Sequence, residues 1–113
     1  MSHSIRLIYR SQQGRTRHNY NWGGNWGTIT RRSSVIITAA EWTQRSQDPA
    51  DEIGRPNLGE ANVYVTNIGP HDPEGGSSIG GVEFYLHVEW DSPLHVQVTI
   101  TVLDQFEDFQ VLG

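Results

Sequence analysis

The residues best suited to binding chemistry lie in an aromatic and glycine-rich segment, YNWGGNWG, at residues 20–27. Tyr20, Trp22 and Trp26 offer flat ring faces, while Asn25 and the nearby Arg31 offer amide and guanidinium donors. A sugar ring stacks its C–H faces on an aromatic side chain, and its hydroxyl groups form directional hydrogen bonds. These five residues are therefore the predicted ligand site, and a carbohydrate or glycoconjugate is the predicted ligand.

Two other interpretations of this segment compete with sugar binding. The glycines beside Trp22 and Trp26 leave no regular strand neighbours, so we expect both rings to be at least partly exposed. One or both rings could instead fold back over the end of the domain, because the chain has few large apolar residues. Four arginines flank the segment, which is compatible with single-stranded nucleic acid, but the net charge of −5 disfavours that partner.

A weaker candidate site is a metal cluster of His87, Glu89 and His95. His87 and Glu89 are two positions apart, so they share one face of a strand, and a hairpin register would place His95 opposite Glu89. Imidazole nitrogens and a carboxylate can hold a divalent metal and leave positions for water. The competing interpretation is a solvated sheet face with ordinary polar residues. We therefore expect neither a metal nor another cofactor.

Several catalytic classes lack their defining residues in this chain. Without cysteine there is no thiol nucleophile, thiolate metal site or disulfide. There is no Gly-x-Ser-x-Gly element, and neither Gly-Gly pair lies in a phosphate-binding loop with a lysine, since the chain has no lysine. The sequence therefore favours a binding protein over an enzyme.

Charge is distributed unevenly along the chain. Residues 1–40 contain six arginines and no acidic residue, whereas residues 56–113 contain nine acidic residues and no base. Such halves are typical of an anion-binding face, of association between copies, or of basic strands paired with acidic ones in one sheet. A homo-oligomer held by complementary charge is therefore a predicted partner arrangement.

The elements that must position these residues are predicted to be short strands. Residues 4–10 alternate, with Ile5, Leu7 and Tyr9 on one face, and residues 61–68 form another strand. The run Val35, Ile36 and Ile37 within residues 34–42 predicts a central strand covered on both faces.

The clearest pattern is the alternation of residues 82–90 and 94–103, which predicts an antiparallel hairpin. A three-residue loop at 91–93 would place Val88 opposite Val96. Trp42 and Trp90 lie at strand ends and are predicted to be core residues. Phe106 and Phe109 either cap the core or belong to an edge strand.

The remaining segments are predicted to be loops, a long one at 43–62 with a possible helical turn after Asp48, and a second at 69–81. Together these elements predict one all-β domain over residues 1–113, an antiparallel, jelly-roll-like β-sandwich, with a small β-barrel as the alternative. No signal peptide or membrane span is evident, so we expect a cytoplasmic protein, or one released without a signal.

Three functional hypotheses follow from these observations. The first is a lectin-like, non-enzymatic protein that binds carbohydrate through residues 20–31. The second is a structural or self-assembling domain that contacts copies of itself or a partner. The third is a metal-dependent enzyme at the cluster of His87, Glu89 and His95.

Overall fold

The computed structural model describes residues 2–44 and 53–113, and within these ranges every regular element is a β-strand. Neighbouring strands in each sheet are antiparallel. The all-β, antiparallel prediction is therefore confirmed. The strands are β1 (His3–Gln12), β2 (Gly14–Asn21), β3 (Gly23–Gly24), β4 (Gly27–Thr28), β5 (Val35–Thr43), β6 (Arg55–Asn57), β7 (Asn62–His71), β8 (Gly81–Glu89) and β9 (Leu94–Val102).

Two sheets form the body of the molecule. One sheet has the strand order β1-β9-β5-β6 and the other has the order β2-β8-β7, while β3 and β4 form a small hairpin. β7 also lies alongside β5 with no ladder between them, so the two sheets approach each other along one edge. The result is a sandwich that is partly closed on one side, in the manner of a half-barrel.

The core lies between β8 and β9, which are the central strands of the two sheets. Each strand alternates, because successive side chains point to opposite faces of a sheet. The inward set of β8 and β9 is almost entirely excluded from solvent, and Ile29 and Ile37 complete it. The inward set comprises Val82, Phe84, Leu86, Val88, Val96, Val98, Ile100 and Val102.

The predicted hairpin between β8 and β9 is wrong. β8 pairs with β2 and β7, whereas β9 pairs with β1 and β5, so the two strands face each other across the core. The four residues between them can span about 13 Å, which exceeds the roughly 10 Å between packed sheets. An alternating pattern shows that a strand has one apolar face. It does not show whether the next strand pairs with it in the same sheet or packs against it from the facing sheet.

Other predicted elements differ in detail. β1, β5 and β7 confirm the strands predicted near residues 4–10, 34–42 and 61–68. β5 is not covered on both faces, since the side chain of Ile36 is 51% exposed. β2 was not predicted as a strand. The loop predicted at residues 69–81 is shorter in the structure, because β7 continues to His71.

The two tryptophans predicted as core residues have different environments. Trp42 is buried, and its indole N–H donates to the carbonyl oxygen of Ile53 at 2.7 Å, so that prediction is confirmed. Trp90 lies in the connection between β8 and β9, where 41% of it is exposed, so that prediction is wrong. It lies directly after the last residue of β8, outside both strands.

Residues 104–113 have no strand or helix, which excludes the predicted edge strand for Phe106 and Phe109. The helical turn predicted after Asp48 lies outside the described residues. Within the ranges 2–44 and 53–113, no helix has the length and apolar character needed to cross a membrane.

Gly80 lies where three chain segments meet without room for a side chain. A Cβ atom there would overlap the carbonyl oxygen of Ile29 and lie 2.5 Å from that of His71. We expect Gly80→Ala to lower the free energy of unfolding by about 1–3 kcal/mol, the range for overpacking an interior. Denaturant unfolding measures this change. Gly69→Ala is the matched control, because a Cβ at Gly69 meets nothing closer than 4.0 Å. Equal losses in the two variants would contradict the prediction.

His18 gives the fold a pH dependence. Its ring packs on Tyr9 at 4.4 Å between centroids, and burial lowers the pKa of His18 below its ordinary value of 6.5. Protonation of His18 therefore favours the unfolded chain. The folded protein loses stability as the pH falls through about 6.5, the pKa of an unperturbed histidine. We expect His18→Gln to reduce the slope of unfolding free energy between about pH 7.5 and 5.5. An unchanged slope in the variant would show that His18 is not responsible.

Candidate functional site

An aromatic cluster occupies the end of the sandwich where β1 begins and β9 ends. The short hairpin of β3 and β4 folds over this end and carries Trp26 onto His3, with ring centroids 4.6 Å apart and an interplanar angle of 19°. Trp26 and Trp22 make an edge-to-face contact, with ring centroids 5.0 Å apart and an interplanar angle of 66°. The three rings therefore form one contiguous cluster of a stacked pair and an edge contact.

The glycines of this hairpin make room for the rings. A Cβ at Gly23 would lie 2.9 Å from the carbonyl oxygen of Gly27, and a Cβ at Gly24 would lie 3.3 Å from Nε1 of Trp26. Gly27 adopts a φ of 112°, which side chains rarely allow. The glycine-rich composition therefore serves a tight hairpin that lets an indole lie against the backbone.

Backbone hydrogen bonds fix the base of the hairpin to the rest of the fold. The Trp22 N–H donates to the carbonyl oxygen of Gly80 at 3.0 Å, and the Ile29 N–H donates to that of Trp22 at 3.3 Å. The Gly80 N–H donates to Oγ1 of Thr28 at 2.8 Å. Ile29 is fully buried beneath these bonds. The aromatic cluster is consequently held by the core rather than by a free loop.

A cleft of about 590 Å³ opens beside the stacked pair. This volume is within the range of about 300–1,000 Å³ that is usual for small-molecule sites. The cleft has a ring wall, an apolar floor from the end of β9, and a polar rim. The side chains that line it include those of His3, Trp26, Thr30, Ser33, Asp104 and Gln105.

The polar rim is organised by its own hydrogen bonds. The Oγ of Ser33 accepts from the Thr30 N–H at 2.9 Å, and Oγ1 of Thr30 accepts from Nε2 of Gln105 at 3.3 Å. A hydroxyl group can accept two hydrogen bonds and donate one. Since both hydroxyls act as acceptors in these bonds, each keeps its hydrogen for a further acceptor.

The five predicted ligand residues do not all meet. Trp26 lines the cleft, and Trp22 supports it from behind. Tyr20 is half-buried in β2 against the core, and Asn25 is exposed at the tip of the hairpin. Arg31 lines a separate groove and lies 3.5 Å from a carboxylate oxygen of Asp72.

Both loop tryptophans are partly exposed, as predicted, but neither stands alone. Each is half-buried against the core, and each has a ring neighbour. The interpretation in which the rings fold back over the end of the sandwich therefore describes Trp22 well. It describes Trp26 only in part, since that indole also forms a wall of the cleft.

The other residues that line the cleft were not predicted from the sequence, because strand pairing brings them together from distant positions. His3 pairs with Val102 at the edge of the sheet, and this register carries Asp104 and Gln105 to the ring wall. Thr30 and Ser33 come from the turn that precedes β5. None of these residues has a local sequence signal, so only the pairing of β1 with β9 could have identified them.

The predicted metal cluster does not form. His87 and Glu89 lie in β8, whereas His95 lies in β9 of the opposite sheet. The predicted register is therefore wrong for the reason given above for the hairpin. Within the described ranges, no group of three histidine or acidic side chains is arranged to hold a metal ion.

Each member of that set has a different partner. His87 stacks on Tyr64 at 4.5 Å, and its Nε2 lies 2.7 Å from Oγ1 of Thr66. The Tyr64 hydroxyl donates to Glu89 at 2.6 Å, and this bond lowers the pKa of Glu89. Nδ1 of His95 accepts from the Ser11 N–H at 3.0 Å. The contacts of His87 and Glu89 order the polar face of the β2-β8-β7 sheet, whereas the contact of His95 belongs to the other sheet.

Comparison of the chain with protein-family models, with curated proteins and with solved structures found no significant match in any of the three.

Trp22 is expected to contribute more to stability than Trp90, although both are tryptophans outside the long strands. Truncation of a fully buried tryptophan lowers the free energy of unfolding by roughly 3–5 kcal/mol. Because Trp22 is half-buried, we expect Trp22→Ala to lower it by about half as much. Trp90→Ala should cost less than Trp22→Ala, because Trp90 is 41% exposed and is not among the residues packed against the core. Chemical denaturation of both variants measures the difference. A smaller loss for Trp22→Ala than for Trp90→Ala would contradict the described packing.

Proposed function

We propose that this protein is a small, non-enzymatic carbohydrate-binding domain that takes a sugar ring in the cleft beside Trp26. The observation that supports the proposal is the composition of that cleft. A stacked indole and imidazole lie on one side of a space of about 590 Å³, and hydroxyl, amide and carboxylate groups lie on the other.

Each part of the cleft matches a part of a sugar. The C–H face of a pyranose is apolar and packs on an aromatic wall, which Trp26 and His3 supply. The hydroxyl groups of a pyranose both donate and accept hydrogen bonds. Thr30 and Ser33 can donate to them, while the Asp104 carboxylate and the Gln105 amide oxygen can accept from them. The site thus has both halves of the recognition that sugars require.

The cleft is also largely preformed. Its ring wall is held by the stack on His3, and Gln105 is held by its bond to Thr30. Little side-chain freedom remains to be lost when a ligand binds, and that loss commonly costs about 0.5–1.5 kcal/mol for each side chain ordered. A preformed site favours binding of a small, rigid ligand such as a monosaccharide or the end of a glycan.

A glycan array followed by calorimetric titration of the best ligand tests the proposal. We expect Trp26→Ala to abolish measurable binding and the intrinsic fluorescence of the wild-type protein to shift on titration. Gln105→Ala should weaken binding about tenfold, since the loss of one hydrogen bond is worth about 1 kcal/mol or somewhat more.

Trp90→Ala is the matched control. Trp90 lies between β8 and β9 at the opposite end of the sandwich, so its loss should leave binding unchanged. Circular dichroism must show that Trp26→Ala keeps the β-sheet spectrum. Failure of the wild-type protein to bind any sugar on the array, or equal losses in Trp26→Ala and Trp90→Ala, would overturn the proposal.

A further inference from the structure

The segment at residues 104–113 exposes large apolar side chains that the cleft does not use. Phe109 is 79% exposed, Val111 78% and Leu112 82%. Single exposed apolar residues are ordinary on protein surfaces, but three large ones within four positions form a patch of the kind that marks interaction sites.

The segment is anchored to the sandwich by hydrogen bonds and ring contacts. The Leu103 N–H donates to the carbonyl oxygen of Ser34 at 2.8 Å, and the Phe106 N–H donates to that of Arg32 at 3.3 Å. The Arg32 guanidinium lies over the Phe106 ring at 5.1 Å, and the Phe109 ring lies 6.2 Å from that of Phe106. The segment therefore presents Phe109 from a fixed base.

A groove of about 360 Å³ lies beside Phe109, between residues of opposite charge. It is lined by Arg31, Arg32, Phe106, Glu107 and Phe109. The Arg31 side chain remains 78% exposed despite its contact with Asp72 at 3.5 Å. In the part of the chain that the structure describes, neither Glu107 nor Asp108 forms an ion pair.

We propose that these exposed apolar side chains, together with Arg31, Arg32 and residues 106–108, form a patch that binds a second copy of the same chain around a two-fold axis. In a two-fold interface the same surface is used by both copies, so residue i of one meets residue j of the other and the reverse. A patch that carries two exposed cations, two exposed anions and an apolar ring satisfies this requirement. Phe109 of each copy fills the groove of the other.

The charges favour a second copy over an unrelated partner of one sign. An acidic partner would face Glu107 and Asp108 as well as the arginines, and a basic partner would face Arg31 and Arg32 as well as the acids. Like charges across an interface are costly, whereas a rotated copy places Glu107 and Asp108 opposite the arginines. The patch comprises only a few residues, whereas a standard interface uses about 20–30 on each side, so we expect a concentration-dependent dimer.

Sedimentation equilibrium of the full chain from low micromolar to high micromolar concentration tests the inference. We expect the wild-type protein to shift from monomer to dimer over this range. The charge-reversed variants R31E/R32E and E107R/D108R should each remain monomeric, because every ion pair in the interface becomes a like-charge contact. An equimolar mixture of the two variants should dimerise again, since the mixed pair restores opposite charges. F109A should also remain monomeric.

The variant R6E/R10E is the matched control, with the same change in charge on β1, away from the patch. It should dimerise like the wild-type protein, and circular dichroism should show the same β-sheet spectrum in all variants. A wild-type protein that stays monomeric throughout, a dimer that survives both reversals, or a mixture that stays monomeric would overturn the inference. The result is distinguishable from a failure of sugar binding, because none of the substituted residues lines the cleft.

Discussion

The structure depends on the contact between the inward faces of β8 and β9. These strands are consecutive in the chain, yet each is the centre of a different sheet, and their alternating apolar side chains meet across the core. β1 and β5 add to β9, while β2 and β7 add to β8. Because every long strand pairs with one of these two, the position of that contact determines where all the others lie.

The same arrangement determines where the cleft can be. β9 ends and β8 begins at the same end of the sandwich, so Val102 and Gly81 bring their neighbours to one place. The neighbour of Val102 is His3. The neighbour of Gly81 is the β3–β4 hairpin, whose base hydrogen-bonds to Gly80. The aromatic cluster is therefore a cap on the core that also walls a space open to solvent.

Much of the fold was predictable from alternation alone, because a half-buried strand must alternate whatever its partners are. Partner choice was not predictable, since β8 and β9 show the same pattern whether they pair or face each other. β2 was not predicted, because its inward residues are Thr16, His18 and Tyr20, which do not give an alternating apolar pattern. In the site, Trp22 and Trp26 were identifiable by composition, whereas His3 and Gln105 join them only through long-range pairing.

That pairing has a consequence for how the protein folds. His3 and Val102 lie near opposite ends of the chain, and closing so long a loop is entropically costly before any contact rewards it. Folding should therefore be slow for a domain of this size, with no early local hairpin to nucleate it from β8 and β9. Asp104 and Gln105 reach His3 through the pairing of β1 with β9, so a chain in which that pairing has not formed has the tryptophans without having the site.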